Sequence, residues 1–119
     1  MLVEDDSDLS RVEEFALGAA GYRVVVARDG RAALEQLARE RPAVILLDMR
    51  MPGFNGWQFI AAFRAAYGRE IPIVVVTAAE NAQHRAAEVD AEDWLAKPFE
   101  VDELLDVVAK HVGRGTAPP

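Results

Sequence analysis

Five side chains able to do chemistry each stand at the end of an aliphatic run. Glu4 and Asp5 follow Met1-Leu2-Val3, Asp48 follows Val44-Ile45-Leu46-Leu47, Thr77 follows Ile73-Val74-Val75-Val76, and Lys97 follows Trp94-Leu95-Ala96. Such runs read as strands buried on both faces of a parallel sheet, and in open α/β sheets ligands sit beyond the carboxyl ends of the strands. If the sheet is doubly wound, the five groups converge at one edge from distant parts of the chain. Taken singly, each has a plainer reading: Asp48 as a helix cap or a strand-ending turn, Thr77 as an ordinary strand threonine. Three carboxylates in one pocket repel one another, so one keeps its proton or the site holds a cation. Oxygen-only ligands, with no His or Cys among them, favour Mg²⁺, which binds through one or two carboxylates plus a phosphate and keeps several waters. Lys97 would neutralise phosphoryl oxygens as a compact charge, and Thr77 would donate a hydrogen bond to them.

The elements that must position these groups follow from alternation. Aliphatic runs exchange with amphipathic segments about five times, the pattern of a parallel sheet covered by helices. A short strand over 1–3 stops at Glu4-Asp5-Asp6. The segment 7–20 predicts a helix with Leu9, Val12, Ala16 and Ala19 on its inward stripe, ended by Gly21. Strand two is expected over 22–27, and a second helix from Asp29-Gly30 to about Glu40 with Ala33, Leu37 and Ala38 inward. Strand three begins after Pro42. The chain then turns through Met51-Pro52-Gly53, and Asn55 with Gln58 reads as a capping box for a helix running to about Tyr67. Strand four follows Pro72, a residue tolerated only at a strand's start. A weakly patterned helix spans about 81–89, and strand five covers 94–96. The last helix, over about 101–112, places Val101, Leu104, Leu105, Val108 and Val112 on one face. The domain is thus expected over 1–112, with 113–119 a disordered tail by composition.

The bulk numbers remove other classes. A chain of 119 residues is one domain. Thirteen basic against twenty acidic side chains leave a net charge of -7, which argues against a surface for direct nucleic-acid binding. The absence of cysteine excludes disulfides and thiolate metal sites. No apolar run approaches the roughly 20 residues that span a bilayer, and no secretory leader is recognisable, so a cytoplasmic location without membrane contact is the expectation.

In order along the chain, Glu4-Asp5, Asp48 with Met51-Pro52-Gly53 and Gly56, Thr77-Ala78, and Trp94-Leu95-Ala96-Lys97-Pro98-Phe99 resemble the response-regulator receiver domain of two-component signalling, the CheY-like superfamily. The resemblance implies a flavodoxin-like α/β fold, a (βα)5 three-layer sandwich whose parallel sheet has the order 2-1-3-4-5. It implies that Asp48 is the phosphoacceptor, taking a phosphoryl group from a sensor histidine kinase or a histidine phosphotransfer protein. Mg²⁺ would be held by Asp5, Asp48 and the backbone carbonyl of Arg50, with Glu4 acting through water. Lys97 and Thr77 would bind the phosphoryl oxygens, and the Lys97-Pro98 peptide would be cis. Thr77 and Trp94 would form the switch: Thr77 moves toward the phosphoryl group, Trp94 packs inward, and the surface of the fourth helix, fifth strand and fifth helix changes for a downstream protein target or output domain. A homodimer is left open.

Several positions depart from the family pattern. The interval from Thr77 to Lys97 is about two residues short of the family's spacing, which points to a trimmed loop or helix there. Trp94 replaces the commoner Tyr or Phe. Asp90 stands where glycine is usual, at a position that asks for positive φ, which Asp tolerates better than most residues. Arg50 is expected to overhang the pocket and to alter the rate at which water removes the phosphoryl group. Asp6 reads as a solvated loop residue, Trp57 as packing for the third helix, and His84 and His111 as structural or solvated residues on helix surfaces.

Three other functions compete. A Mg²⁺-dependent phosphohydrolase with an aspartyl intermediate commonly carries a second carboxylate two residues after the nucleophile, and here that place is Arg50, so catalysis limited to the domain's own Asp48 is expected. A flavin or nucleotide carrier needs a phosphate loop after the first strand, where Glu4-Asp5-Asp6 would repel phosphate. A receiver-like module that binds partners without phosphorylation would not need an intact acidic pocket.

Overall fold

The alternation of strand and helix signals folds, in this computed structural model, into one five-stranded parallel sheet in the order β2-β1-β3-β4-β5. The structure describes residues 1–51, 55–78 and 80–115, and of 113–115 the backbone alone. The elements are β1 (Leu2–Val3), α1 (Ser7–Ala19), β2 (Val26–Ala27), α2 (Gly30–Leu37), β3 (Ile45–Asp48), α3 (Gly56–Tyr67), β4 (Ile73–Ala78), α4 (Ala82–Val89), β5 (Asp93–Lys97) and α5 (Val101–Gly115). This is the flavodoxin-like topology expected above. The turn at Pro52-Gly53 lies outside the described residues. α5 continues over 113–115, where composition suggests a tail, and 116–119 are again outside the described residues.

Because strand side chains alternate across the sheet, the central strands feed two cores. Val3, Ile45, Leu47, Ile73 and Val75 face Ala33 and Leu37 of α2, Phe59 and Phe63 of α3 and Ala86 of α4. Leu2, Leu46, Val74 and Val76 face Leu17 of α1 and Leu104, Val107 and Val108 of α5. The register pairs Leu47 with Val75 and Asp48 with Val76, then Thr77 with Ala96 and Ala78 with Lys97. Ladder pairing therefore brings Asp48, Thr77 and Lys97 to the same end of the sheet.

Local chemistry fixes the helices around that edge. Asp6 caps α1, its Oδ1 accepting from the amides of Asp8 at 3.0 Å and Leu9 at 3.1 Å. The capping box of α3 is formed by Asn55 and Gln58. Gly56 opens that helix for a steric reason: a Cβ there would stand 2.8 Å from the Cα of Met49. Only glycine lets α3 start so close to the segment that follows Asp48. Asp90 ends α4 in the left-handed region at φ 55° and ψ 46°, as its place in the sequence suggests. The Lys97–Pro98 peptide is cis.

The structure corrects several boundaries and faces. β2 has two paired residues instead of the six expected over 22–27, and α2 stops at Leu37, leaving Ala38 exposed. In α1 the buried face is Ser10, Glu13 and Leu17, one residue round from the predicted stripe, while Val12 is 58% and Phe15 79% exposed. Polar Ser10 and Glu13 at buried positions hide the true face from hydrophobic periodicity. In α5, Val101 is exposed and His111 is buried, in place of the surface position expected for that histidine.

Candidate functional site

The carboxyl ends of β1, β3, β4 and β5 border a cleft of about 690 Å³ that contains Glu4, Asp5, Asp48, Arg50, Thr77 and Lys97. One carboxylate oxygen from each of Glu4, Asp5 and Asp48 lies within 4.8 Å of the others. Glu4, Asp48 and Thr77 are buried, and Asp5 is exposed at the rim. Asp48 Oδ1 accepts from the amide of Arg50 at 2.9 Å, so the turn after β3 sets the carboxylate's orientation. Its Oδ2 lies 3.7 Å from Lys97 Nζ, and the same ammonium donates to Glu4 Oε1 at 3.2 Å. Glu4 Oε2 accepts from the amide of Asp6 at 3.3 Å.

The crowding has an electrostatic consequence. Burial, then hydrogen bonding to Asp48 and the charge of Asp48, push the Glu4 carboxyl up to about 8, against the opposing pull of Lys97 and the Asp6 amide. Burial opposes the charge on Lys97, but Asp48 and Glu4 outweigh it and hold the ammonium above its ordinary value. A set of hard oxygen donors with excess negative charge, and no nitrogen or sulfur among them, fits a divalent cation such as Mg²⁺.

Sequence patterns did not single out Glu13. It is only 3% exposed and lines the same cleft, and burial pushes its carboxyl up to about 7. The available signal was its place four residues before Leu17, on a face that also holds Ser10. Trp94 is 42% exposed on β5, opposite Val75, so its ring is not in the core. Trp57 links two helices: its Nε1 donates to Glu88 Oε1 at 2.9 Å, and the Arg85 guanidinium lies 5.3 Å from the ring centroid. His84 is exposed and pairs with Glu88. His111 packs inside against Asp93 Oδ2 at 2.9 Å.

These shifts predict how stability follows pH. Glu4 and Glu13 hold protons more tightly in the folded chain than at their ordinary value of 4.5, so folding takes up protons above that pH and stability falls as pH rises toward their folded values. The buried Met1 ammonium, lowered from 8.0 to about 6, acts in the opposite sense from there upward. The carboxylates held low, Asp93 and Glu88, complete their change below the window. Urea midpoints measured with a chelator should therefore decline from about pH 5 to about pH 6, and a Glu4→Gln, Glu13→Gln double variant should flatten the decline. A flat profile in the parent protein would contradict the burial of these two acids.

The family model for the response regulator receiver domain matches residues 1–109. Response regulator MprA of Mycolicibacterium vanbaalenii is 37% identical over 107 residues, covering 88% of this chain and 46% of that protein. MprA of Mycobacterium leprae is 38% identical with the same coverage. The chain thus spans about half the length of these curated relatives. Among solved structures, the chemotaxis protein CheY4 of Vibrio cholerae superposes with a TM-score of 0.81 at 32% identity, covering 92% of this chain and 94% of that one. A CheY-like receiver domain protein from Methanospirillum hungatei gives 0.86 at 27% identity, covering 97% and 94%.

Proposed function

Because the chain belongs to the response regulator receiver domain family, we propose that it is a phosphoacceptor of two-component signalling and that Asp48 takes the phosphoryl group. The observation that carries this is a buried carboxylate with one oxygen fixed by the Arg50 amide and the other beside the Lys97 ammonium, at the mouth of a cleft. Asp48 Oδ2 attacks the phosphorus of a phosphohistidine on a sensor kinase or phosphotransfer protein. The P–O bond forms as the P–N bond breaks, and the imidazole leaves with the electron pair and takes a proton from water. Lys97 neutralises the phosphoryl oxygens and the Thr77 hydroxyl donates to one of them. Glu4, acting through water, Asp5, Asp48 and the carbonyl of Arg50 would hold Mg²⁺, which supplies further neutralisation of the phosphoryl charge when bound. Attack of water on phosphorus later releases inorganic phosphate and regenerates the carboxylate, with Arg50 at the cleft mouth setting access.

The domain acts on its own Asp48 and turns over no separate substrate. Its output is a change of surface across α4, β5 and α5, read by a downstream protein or output domain, in the cytoplasm. Among the described residues no helix is long and apolar enough to cross a membrane. The switch couples Thr77, drawn toward the phosphoryl group, to Trp94 moving from its half-exposed position into the space vacated. In a Trp57→Phe variant, where Trp94 is the only indole, adding fluoroberyllate as a phosphoryl analogue with Mg²⁺ should shift Trp94 emission to the blue. The shift should be absent with either component alone. An unchanged spectrum under saturating analogue would remove Trp94 from the switch.

A further inference from the structure

α4 is poorly equipped to hold itself together. It has eight residues, of which only Ala82 and Ala86 are buried, and alanines cover little apolar surface. Its N-cap residue, Asn81, makes no side-chain capping bond. Helices of this length depend on outside packing for most of their stability. The carboxyl end is better supplied. The amides of Ala91 and Asp90 turn back to the carbonyls of Ala86 at 2.8 Å and Ala87 at 3.2 Å, with Asp90 in the left-handed conformation common at helix ends. The carbonyls of Val89 and Asp90 are satisfied from α3: Arg64 donates Nη1 to the first at 2.7 Å and Nη2 to the second at 2.8 Å. Arg64 Nε is enclosed and has no hydrogen-bond partner among the described residues. The side chain thus gives up water on one edge to hold its fork on two carbonyls.

We propose that Arg64 is a clasp on which the folding of α4 depends, and that α4 opens as a unit separate from the central sheet. The other ties from α3 and the turn after it are weaker in kind. Arg69 donates to the Asp90 carbonyl at 3.3 Å and pairs with the Asp90 carboxylate, but the two side chains are 52% and 77% exposed, where ion pairs contribute little. The Trp57 bond to Glu88 is exposed as well. Of these ties only the Arg64 bond to Val89 is partly buried, and charge-assisted bonds are the stronger kind. The clasp makes no use of the acidic cleft and holds whatever role Asp48 has. Its consequence falls on the surface assigned above to output: α4 presents its face there while clasped and loses it on release.

Amide hydrogen exchange followed by NMR tests both parts, without phosphodonor or metal. In the parent, the amides of Asp90 and Ala91 should exchange faster than those of Ile45 and Leu46 in β3 and respond little to low urea, the mark of an opening that exposes little surface. In Arg64→Met, which keeps an unbranched stem and removes the fork, the Asp90 and Ala91 amides should exchange roughly 10- to 100-fold faster than in the parent, the scale of one hydrogen bond to a charged group. Arg64→Lys, which keeps the charge but cannot fork, should fall between. Arg69→Met should change these rates by no more than about twofold. Parental rates at Asp90 and Ala91 in Arg64→Met, or an equal acceleration in Arg69→Met, would overturn the clasp. A urea response at Asp90 and Ala91 as steep as that of β3 in the parent would overturn the separate opening of α4, and that measurement needs no variant to fold.

Discussion

A Lys97→Ala variant should take up phosphoryl groups about 100-fold more slowly than the parent while binding Mg²⁺ no less tightly, because it loses a charge donor to the reacting group and no cation ligand. Lys97 sits 3.2 Å from Glu4 and 3.7 Å from Asp48, so its ammonium competes with a divalent cation for the same carboxylates. Removing it strengthens the acidic field of the cleft. The two effects therefore run in opposite directions, which separates lost catalysis from a collapsed site. Mg²⁺ affinity by calorimetry and uptake from acetyl phosphate by intact mass measure them independently. Uptake within a few-fold of the parent would assign the phosphoryl charge to another group.

The second large effect is on stability. Phe63→Ala should cost about 3–5 kcal/mol, the range for truncating a fully buried phenylalanine. Phe63 is completely enclosed, stacked 5.8 Å from Phe59 and 5.4 Å from Tyr67 by ring centroids. Collapse into the vacated space is limited because β3 and β4 side chains pack on the same core. Against a typical total of about 5–15 kcal/mol, such a loss leaves a substantial unfolded fraction. The control is Phe15→Ala on α1, 79% exposed, which should change stability by no more than about 0.5 kcal/mol. Urea denaturation of both variants tests the contrast. Equal costs would contradict the assignment of α1 and α3 faces.

The contrast between these phenylalanines marks where the sequence was legible. Continuous aliphatic runs ending in Asp48 and Thr77 announced a doubly covered parallel sheet and its candidate site edge, because both faces of those strands are buried. Lys97 ends an edge strand that is buried only at Leu95. The face of α1 was not legible. Leu9, Val12, Ala16 and Ala19 make a periodic stripe, yet Ser10, Glu13 and Leu17 are the residues inside. Glu13 is buried in the wall of the cleft, and Ser10 is buried with its hydroxyl donating to the Ser7 carbonyl at 3.1 Å. Burial of His111 was equally hidden: its acceptor, Asp93, lies eighteen residues earlier on β5, and pairing across elements leaves no local pattern. Its place on the stripe of Leu104 and Val108 is the only trace. Strand β2 reads as six residues by composition but pairs over two, since β-branched content reports a preference for extended backbone and not the length of a ladder.

The most direct test of the central claim is intact mass after incubation with Mg²⁺ and acetyl phosphate, beside an Asp48→Asn variant and a sample with chelator. A gain of one phosphoryl group in the parent, absent without Mg²⁺ and absent in the variant, is the predicted result. A gain that survives Asp48→Asn, or no gain in the parent with any phosphodonor, would contradict the assignment of Asp48 as phosphoacceptor.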